Sequence, residues 1–541
     1  MMDWQLTLEK VLERADDLFA DRTITTVHPR GDTHRYTYGE MYDRTCQLAH
    51  ALDELGVGDG ERIATTALNH YRHLELYFGP PATGRSTHMC NPRLPPEHFE
   101  FIVNDAEDRV MFVDPAFLDL VEGLQDRFET IEQYVVLAED VPETSLEPVV
   151  AYEDLIAGHP TEYDWPDIDE EQECAMCYTS GTTGKPKGVP YTHRGLFLHT
   201  LMAGHADGIG VSEDDTVLPV VPMFHANGWG LPYAATIVGA EQVLPTANTD
   251  PEPLASLVES EQVTLASAVP TVWLELADYL DEHPEADISS IDRLTVGGSA
   301  PPESLIRRYD QEYDAPIIQG WGMTEMSPLG SLSTLRKEVA AEDEETQYAY
   351  RAKAGMPVPG VEARIRTDDG DFAPKDGESM GELEVRGPWV TDHYHNRPDA
   401  NDSSFTDDGW LKTGDIATMD EYGYLDIVDR TKDVIKSGGE WISSVDLENE
   451  LMAHEAVTEA TVIAVDHEKW QERPMACVVL RDGHDATEAE LQEFLGETFP
   501  DWWLPDKIEF VDAIPRTSTG KFDKKVLRDR FGDVELEESA D

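Results

Sequence analysis

The strongest constraint on the fold of this chain is the alternation of short apolar runs with amphipathic segments along most of its length. Residues 110–113, 134–137 and 216–221 are apolar and rich in valine, as strands buried in a sheet are. Apolar residues also recur at helical spacing from Leu8 to Phe19, which predicts an amphipathic helix. Strands that alternate with helices favour an α/β fold.

The pattern changes near residue 355 to short strands separated by turns, which predicts a small antiparallel, β-barrel-like unit. A compact tail with its own α+β pattern follows this unit. We therefore predict a large N-terminal domain of α/β sheets packed with helices over residues 1–431, including the β-rich unit over about 355–431. A smaller α+β C-terminal domain over 432–541 completes the prediction.

The strongest local signal is the segment of residues 178–189, which combines small hydroxyl side chains, three glycines and two lysines. Glycines let a backbone bend closely around an anion, while N–H and O–H groups supply donors and Lys185 and Lys187 supply positive charge. The segment is not a Walker A loop, because only two residues separate Gly181 from Gly184 and a proline follows Lys185. It predicts a phosphate-binding loop of another kind.

This segment resembles the phosphate loop of the adenylate-forming, AMP-binding superfamily, which includes acyl-CoA synthetases, peptide-synthetase adenylation domains and firefly luciferase. Further segments resemble the superfamily's adenine loops, ribose turn, interdomain hinge and C-terminal catalytic loop, in the family's order: residues 297–301, 319–325, 413–415, 429–433 and 515–521. The matches span nearly the whole chain. The resemblance implies an enzyme that uses ATP, Mg²⁺ and coenzyme A, and a C-terminal domain that rotates about a hinge.

The resemblance also implies roles for individual residues. The implied nucleotide-binding residues are Thr179, Ser180, Gly181, Thr182, Thr183, Gly184, Lys187, Gly298, Ser299, Gln319, Gly320, Trp321, Asp415, Arg430, Lys432 and Lys436. The implied catalytic residues are Lys521, Glu325 and Thr324, with Thr324 on the α-phosphate. Lys521 would bridge the carboxylate and the α-phosphate as negative charge builds, a role that is electrostatic and positional. Glu325 and Thr179 would hold Mg²⁺, which prefers hard oxygen ligands.

The acid pocket is implied by residues 221–229, which resemble the corresponding motif of fatty acyl-CoA synthetases, with Trp229 as a gate at an acyl tunnel. Residues 230–235 are small and apolar, which suits either an alkyl channel or ordinary core packing. Residues 435–444 match the medium- and long-chain subgroup. The implied acyl and coenzyme A pocket consists of His225, Ala226, Trp229, Gly439, Glu440 and Trp441.

We therefore expect a medium- or long-chain fatty acid–CoA ligase. A ligase for a short, aromatic or other non-fatty acid remains open, as does an adenylation enzyme that loads a free carrier protein. Only twenty residues follow Lys521, so we expect no fused carrier domain. A non-catalytic nucleotide-binding protein is disfavoured, because it would not need Lys521, Glu325 and Asp415 together.

Charge sets this chain apart, since 109 acidic and 41 basic residues give a net charge of −68. Such a surface repels nucleic acid and anionic membranes, and high negative charge is used by halophiles. We find no long apolar run and no secretory signal, so we expect no membrane span, a salt-rich cytoplasm and small-molecule partners; a homodimer stays open. The spacing of the five cysteines argues against a disulfide framework, and Cys174 and Cys177 suit a buried strand.

We predict that both the melting temperature and the activity rise between dilute buffer and molar KCl. The reason is that salt at about 1 M shortens the Debye length to about 3 Å and screens the repulsion among acidic side chains. Thermal unfolding and turnover across a KCl series check this prediction. Full stability and activity in dilute buffer would contradict the salt-adapted interpretation and leave the enzyme assignment untouched.

Overall fold

A computed structural model describes residues 2, 4–29, 31–179, 185–437, 440–467, 469–481, 483–516 and 522–531, with only the backbone of Glu440. The strands are β1 (Thr23–Val27), β2 (Thr33–Thr37), β3 (Arg62–Thr66), β4 (Ser86–Met89), β5 (Val110–Val113), β6 (Gln133–Val136), β7 (Val149–Ala151), β8 (Glu173–Tyr178), β9 (Gly188–Thr192), β10 (Thr216–Pro219), β11 (Glu241–Leu244), β12 (Leu265–Ala268), β13 (Arg293–Val296), β14 (Ile317–Gly322), β15 (Leu329–Leu332), β16 (Met356–Pro357), β17 (Glu362–Arg366), β18 (Gly381–Arg386), β19 (Leu411–Met419), β20 (Leu425–Arg430), β21 (Ile435–Ser437), β22 (Glu440–Ile442), β23 (Val457–His467), β24 (Gln471–Leu480) and β25 (Lys507–Phe510). The helices are α1 (Leu8–Phe19), α2 (Tyr38–Glu54), α3 (Tyr71–Ala82), α4 (Pro96–Asp105), α5 (Leu118–Glu122), α6 (Tyr152–Ile156), α7 (His193–Ala203), α8 (Leu231–Val238), α9 (Pro251–Glu261), α10 (Pro270–Glu282), α11 (Glu303–Tyr313), α12 (Glu344–Arg351), α13 (Pro398–Ser404), α14 (Ser444–Ala453), α15 (Glu488–Leu495) and α16 (Lys524–Phe531).

Two large sheets, both mainly parallel, dominate the part of the chain up to β16. One has the order β7-β6-β5-β3-β4-β8-β9, and the other has the order β16-β15-β14-β13-β12-β10-β11-β1-β2. In both sheets the antiparallel pairs lie at the edges, such as β8 with β9 and β14 with β15. Central strands such as β4, β5 and β12 are buried at every residue, as expected for strands covered on both faces. The α/β fold predicted from the alternating pattern is confirmed.

A shared hydrophobic core joins the two sheets. It contains Ala175 of β8 from one sheet and Leu244 of β11 from the other, together with Leu12 of α1, Tyr77 of α3 and Tyr233 of α8. These side chains are almost completely shielded from solvent. Because the sheets share one core, loops that leave the two sheets are held at fixed positions relative to each other.

The later strands form two smaller sheets. Strands β17 to β20 pair in sequence order as an antiparallel sheet, and β21 to β25 form a mixed sheet that packs with α14 and α15. This arrangement confirms the smaller α+β part of the predicted fold. The predicted domain boundary falls between β20, which ends at Arg430, and β21, which begins at Ile435; the exact division stays a prediction. No helix within the described residues has the length and apolarity needed to cross a bilayer.

Candidate active site

The predicted site segments follow the carboxyl ends of strands from both large sheets. Thr179 follows β8, residues 221–229 follow β10, and residues 297–301 follow β13. Thr324 follows β14 after a single intervening residue. Ligands of α/β proteins bind outside the carboxyl ends of the strands, where loops from neighbouring strands meet. The topology therefore accounts for a site built from segments that lie far apart in sequence.

The base of the predicted phosphate loop is closed by two hydrogen bonds. The Thr179 N–H donates to the Lys187 carbonyl at 2.9 Å, and the Lys187 N–H donates to Thr179 Oγ1 at 3.2 Å. The loop residues themselves, Ser180, Gly181, Thr182, Thr183 and Gly184, lie outside the described residues. These two hydrogen bonds hold Thr179 and Lys187, which flank the predicted loop, next to each other.

Glu325 is a buried carboxylate with 5% of its surface exposed. The Tyr394 hydroxyl donates to Glu325 Oε1 at 2.7 Å, and the Thr391 N–H donates to the Glu325 carbonyl at 2.8 Å. Lys187 Nζ lies 3.9 Å from the centre of the Tyr394 ring. Burial lowers the pKa of Lys187, an effect that Glu325 opposes. The structure therefore brings two predicted residues, Glu325 and Lys187, into one cluster around Tyr394.

Thr324 begins a short turn, Thr324–Met326, that is fixed from the neighbouring sheet. The buried Tyr191 of β9 donates its hydroxyl to the Thr324 carbonyl at 2.6 Å. Tyr191 and Tyr394 were both missed from the sequence. Tyr191 directly follows the recognised segment 178–189, whereas Tyr394 lies near none of the recognised segments, and each bonds a residue that is distant in the chain.

The predicted ribose carboxylate, Asp415, is almost fully buried, with 1% of its surface exposed. Trp321 Nε1 donates to Asp415 Oδ2 at 3.0 Å, and Arg430 Nε lies 2.8 Å from Asp415 Oδ1. The negative charge of Asp415 raises the pKa of Arg430 above its usual value. Three predicted nucleotide-binding residues thus form one charged cluster, in which Asp415 is oriented by two donors.

The predicted adenine loops lie next to the predicted acyl gate. Gly298 has a φ of +88°, which favours glycine, and both Gly298 and Ser299 are exposed. A Cβ atom built on Gly297 would lie 3.1 Å from the Trp229 ring and 3.3 Å from the Gly320 carbonyl oxygen. The glycine at position 297 therefore lets the gate tryptophan pack directly against the nucleotide loops.

The backbone of Gln319 is hydrogen-bonded within the sheet. Its N–H donates to Ser333 Oγ at 2.9 Å, and its carbonyl accepts from the Ser333 N–H at 2.9 Å. Its side-chain amide lies 2.7 Å from the Ala352 carbonyl oxygen in the orientation that satisfies both amide atoms. Gln319 therefore fixes the strand that carries Gly320 and Trp321, and its role at an adenine site stays a prediction.

The segment around the predicted gate Trp229, residues 221–230 (the gate segment), adopts an unusual backbone. Five consecutive residues, Ala226 to Gly230, have φ between 42° and 75°, and α8 begins directly after them. A left-handed conformation costs roughly 1–2 kcal/mol at each non-glycine residue, so Ala226, Asn227 and Trp229 are strained. Such strain persists only where the surroundings impose it and is typical of functional sites. Apart from its two glycines, nothing in the sequence predicted this turn.

Contacts from the other sheet hold the gate segment in place. Asn69 bonds three backbone groups before the turn, namely the carbonyls of Pro219 and Val221 and the N–H of Met223, at 2.8–2.9 Å. The Cys177 thiol donates to Asn227 Oδ1 at 3.1 Å. Cys177 is a buried residue of β8, as the sequence indicated. His225 is half-buried and Ala226 is buried at the start of the turn.

The remaining predicted residues lie in the hinge segment, residues 429–433, or after it. Lys432 and Lys436 are exposed, and Trp441 packs on the buried Ile416, Val428 and Val434 at 5.7 Å from Lys436 Nζ. The carboxylate of Asp429 bonds the Ser444 N–H and hydroxyl at the start of α14. Lys521, Gly439 and the side chain of Glu440 lie outside the described residues.

Comparison with known proteins decides the family. Residues 12–395 match the family described as AMP-binding enzyme, and residues 446–521 match the AMP-binding enzyme C-terminal domain. The chain belongs to the AMP-binding enzyme family. This AMP-binding enzyme is similar over its whole length to curated ligases, and the two matched regions lie on either side of the predicted hinge.

Three relatives and one solved structure illustrate the similarity. The chain is 48% identical to a long-chain-fatty-acid–CoA ligase of Thermus thermophilus, over 98% of this chain and 96% of that protein. It is 41% identical to a 3-methylmercaptopropionyl-CoA ligase of Ruegeria lacuscaerulensis (99% of each chain) and 40% identical to a medium-chain-fatty-acid–CoA ligase of Ectopseudomonas oleovorans (100% and 98%). The crystal structure of the anthranilate CoA ligase AuaEII with anthranoyl-AMP superimposes with a TM-score of 0.87 at 27% identity, covering 98% of each chain.

We predict that Tyr394→Phe lowers kcat/KM for ATP by roughly 10- to 100-fold, because a hydrogen bond to a charged group contributes about 1.5–3 kcal/mol. The Mg²⁺ concentration needed for half-maximal rate should rise with it, since Glu325 loses its orientation. Steady-state kinetics over ATP and Mg²⁺ series measure both effects. The matched control is Tyr163→Phe, which removes a tyrosine–carboxylate bond to Asp53 on the surface. Equal effects of the two substitutions would show that Tyr394 has no special role.

Proposed function

We propose that this AMP-binding enzyme activates a medium- or long-chain fatty acid with ATP, forming an acyl-adenylate and pyrophosphate, and then transfers the acyl group to coenzyme A. The observation that carries the proposal is the contact between the Trp229 ring and Gly297, where the predicted acyl gate meets the predicted adenine loop. An acid that enters at this gate arrives beside the nucleotide. The long- and medium-chain ligases among the relatives support a fatty acid as the substrate.

The first half-reaction needs no side-chain nucleophile. A carboxylate oxygen of the acid attacks the α-phosphorus of ATP, the bond to the β-phosphate oxygen breaks, and pyrophosphate leaves. The task of the protein is to position two anions and to stabilise the charge that builds between them. Lys187 and Arg430 supply positive charge from the N-terminal domain, and Lys521 supplies it from the C-terminal loop.

The oxygen donors fit Mg²⁺ as the metal. Glu325 offers a buried carboxylate, one oxygen of which is oriented by Tyr394, and Thr179 offers a hydroxyl at the end of the phosphate loop. Hard oxygen ligands of this kind suit Mg²⁺, which commonly binds through one or two protein oxygens together with phosphate oxygens. When bound, the metal would neutralise charge on the phosphates of ATP.

The second half-reaction places different demands on the site. The thiolate of coenzyme A attacks the acyl carbonyl, the bond between that carbon and the phosphate oxygen breaks, and AMP leaves. We infer that the C-terminal domain rotates about Lys432 between the two steps, withdrawing Lys521 and presenting the loop that contains Gly439, Glu440 and Trp441. Hinges of this kind lie at element boundaries. Lys432 occupies such a place, exposed between β20 and β21.

A second candidate is a ligase for a shorter or functionalised acid. The observation that favours it is the 41% identity to the 3-methylmercaptopropionyl-CoA ligase, which is close to the identity with the medium-chain ligase. The two candidate functions require the same nucleotide site and differ only in the acid that enters at Trp229.

The test is a panel of acids assayed for pyrophosphate and AMP release with coenzyme A present and absent. The panel runs from butyrate to palmitate and includes 3-methylmercaptopropionate and benzoate. We expect the highest kcat/KM with a straight-chain acid of medium or long chain, and AMP release that depends on coenzyme A. Preference for 3-methylmercaptopropionate would favour the second candidate. AMP release that requires a carrier protein in place of coenzyme A would contradict both.

We predict that Lys521→Ala lowers the rate of adenylate formation, measured as pyrophosphate release, by at least roughly 100-fold. The reason is that the substitution removes a positive charge that stabilises the transition state. Thioester formation from supplied acyl-adenylate should fall much less, since Lys521 is withdrawn in that step. The matched control is Lys525→Ala, which removes an exposed lysine of the nearby α16. Equal losses in both half-reactions would contradict the proposed role.

A further inference from the structure

His199 of α7 is a buried histidine that the mechanism above does not use. Its side chain has no exposed surface, and neither ring nitrogen has a hydrogen-bond partner among the described residues. Burial lowers the pKa of His199 to about 4, so the ring is neutral near pH 7. A buried polar ring without partners is unfavourable by itself, which indicates that its position serves some other purpose.

The ring lies directly against the gate turn. A Cβ atom built on Gly230 would fall 2.4 Å from His199 Cε1 and 2.7 Å from Nδ1, closer than any real contact. Gly230 also has a φ of +75°, which favours glycine independently. The His199 ring therefore occupies the space beneath the last residue of the turn, one residue after Trp229.

The ring of His199 also meets a fixed partner. The rings of His199 and Trp389 are edge to face, with centres 6.0 Å apart and an interplanar angle of 90°. Trp389 is anchored at both ends, because its Nε1 donates to the Leu329 carbonyl at 2.9 Å and its own carbonyl accepts from Ser327 Oγ at 3.1 Å. His199 thus packs against both an anchored tryptophan and the last residue of the strained turn.

The contact between His199 and Gly230 helps the turn to keep its left-handed backbone. Three strained non-glycine residues would relax toward ordinary φ values if the space beneath them were empty. Asn69 fixes the segment before the turn, the Cys177 thiol bonds Asn227 within it, and the ring of His199 packs against Gly230 at its end.

We propose that His199 is a positioning residue that determines acid specificity, because its ring supports the left-handed turn and so fixes where Trp229 stands at the acyl opening. The inference rests on the proposed function and assigns a residue to the selectivity of the same site. Without the ring, the turn gains room to relax away from the opening, and the pocket should accept bulkier acids.

The test compares three variants. His199→Ala removes the ring, and His199→Leu keeps a similar volume while removing both nitrogens. His205→Ala is the matched control, since it changes an exposed histidine just after the same helix. Each variant is assayed with a straight-chain acid and with its 3-methyl-branched isomer, together with the KM for ATP. Circular dichroism and melting temperature establish that each variant is folded.

We expect His199→Ala to raise the ratio of kcat/KM for the branched acid over the straight acid by about tenfold, the low end of what one methyl group decides in a pocket. The KM for ATP should stay within about twofold, because the nucleotide contacts are untouched. His199→Leu and His205→Ala should both keep the ratio of the unaltered enzyme. An unchanged ratio in His199→Ala would overturn the inference, as would a shift in His199→Leu as large as that in His199→Ala.

A stability cycle tests the contact without relying on turnover. Gly230→Ala should lower the melting temperature much more in the unaltered enzyme than in the His199→Ala background, where the clashing ring is gone. Equal losses in the two backgrounds would overturn the inferred support. Failure of the proposed function shows differently, as an unaltered enzyme that releases AMP with none of the acids.

Discussion

The convergence of parallel strands from two sheets on one shared core is the constraint on which the rest of the structure depends. Strands β8 and β9 of one sheet contact the segments that follow β10 and β14 of the other, as the Cys177–Asn227 and Tyr191–Thr324 hydrogen bonds show. The shared core fixes these segments relative to one another. The predicted acyl gate and adenine loops therefore meet, although they lie far apart along the chain.

Electrostatics within the site run against those of the whole protein. The surface carries a large negative charge, yet Lys187 and Arg430 are placed where the phosphates of ATP are expected, each close to a carboxylate that keeps it in position. The carboxylates Glu325 and Asp415 are in turn oriented by neutral donors, Tyr394 Oη and Trp321 Nε1. The strongly acidic chain therefore still presents two cations at the proposed nucleotide site, each beside a carboxylate.

The sequence predicted those features that depend on local pattern. Helix α1 runs from Leu8 to Phe19 and β5 from Val110 to Val113, both as predicted, because periodicity and a bounded apolar run are local signals. Several motif segments also contact one another, as Trp229 does with Gly297 and Trp321 with Asp415. The Glu325–Tyr394 bond and the left-handed turn at residues 226–230 were beyond reach, since each depends on contacts between residues distant in the chain.

The central claim is that the carboxylate of the acid attacks the α-phosphorus of ATP, and oxygen transfer tests it most directly. The acid is labelled with ¹⁸O in both carboxylate oxygens, and the products of one round with ATP and coenzyme A are analysed by mass spectrometry. The account predicts one ¹⁸O atom in AMP, the other in the acyl-CoA, and none in pyrophosphate. AMP without label, or label in an inorganic phosphate product, would contradict it.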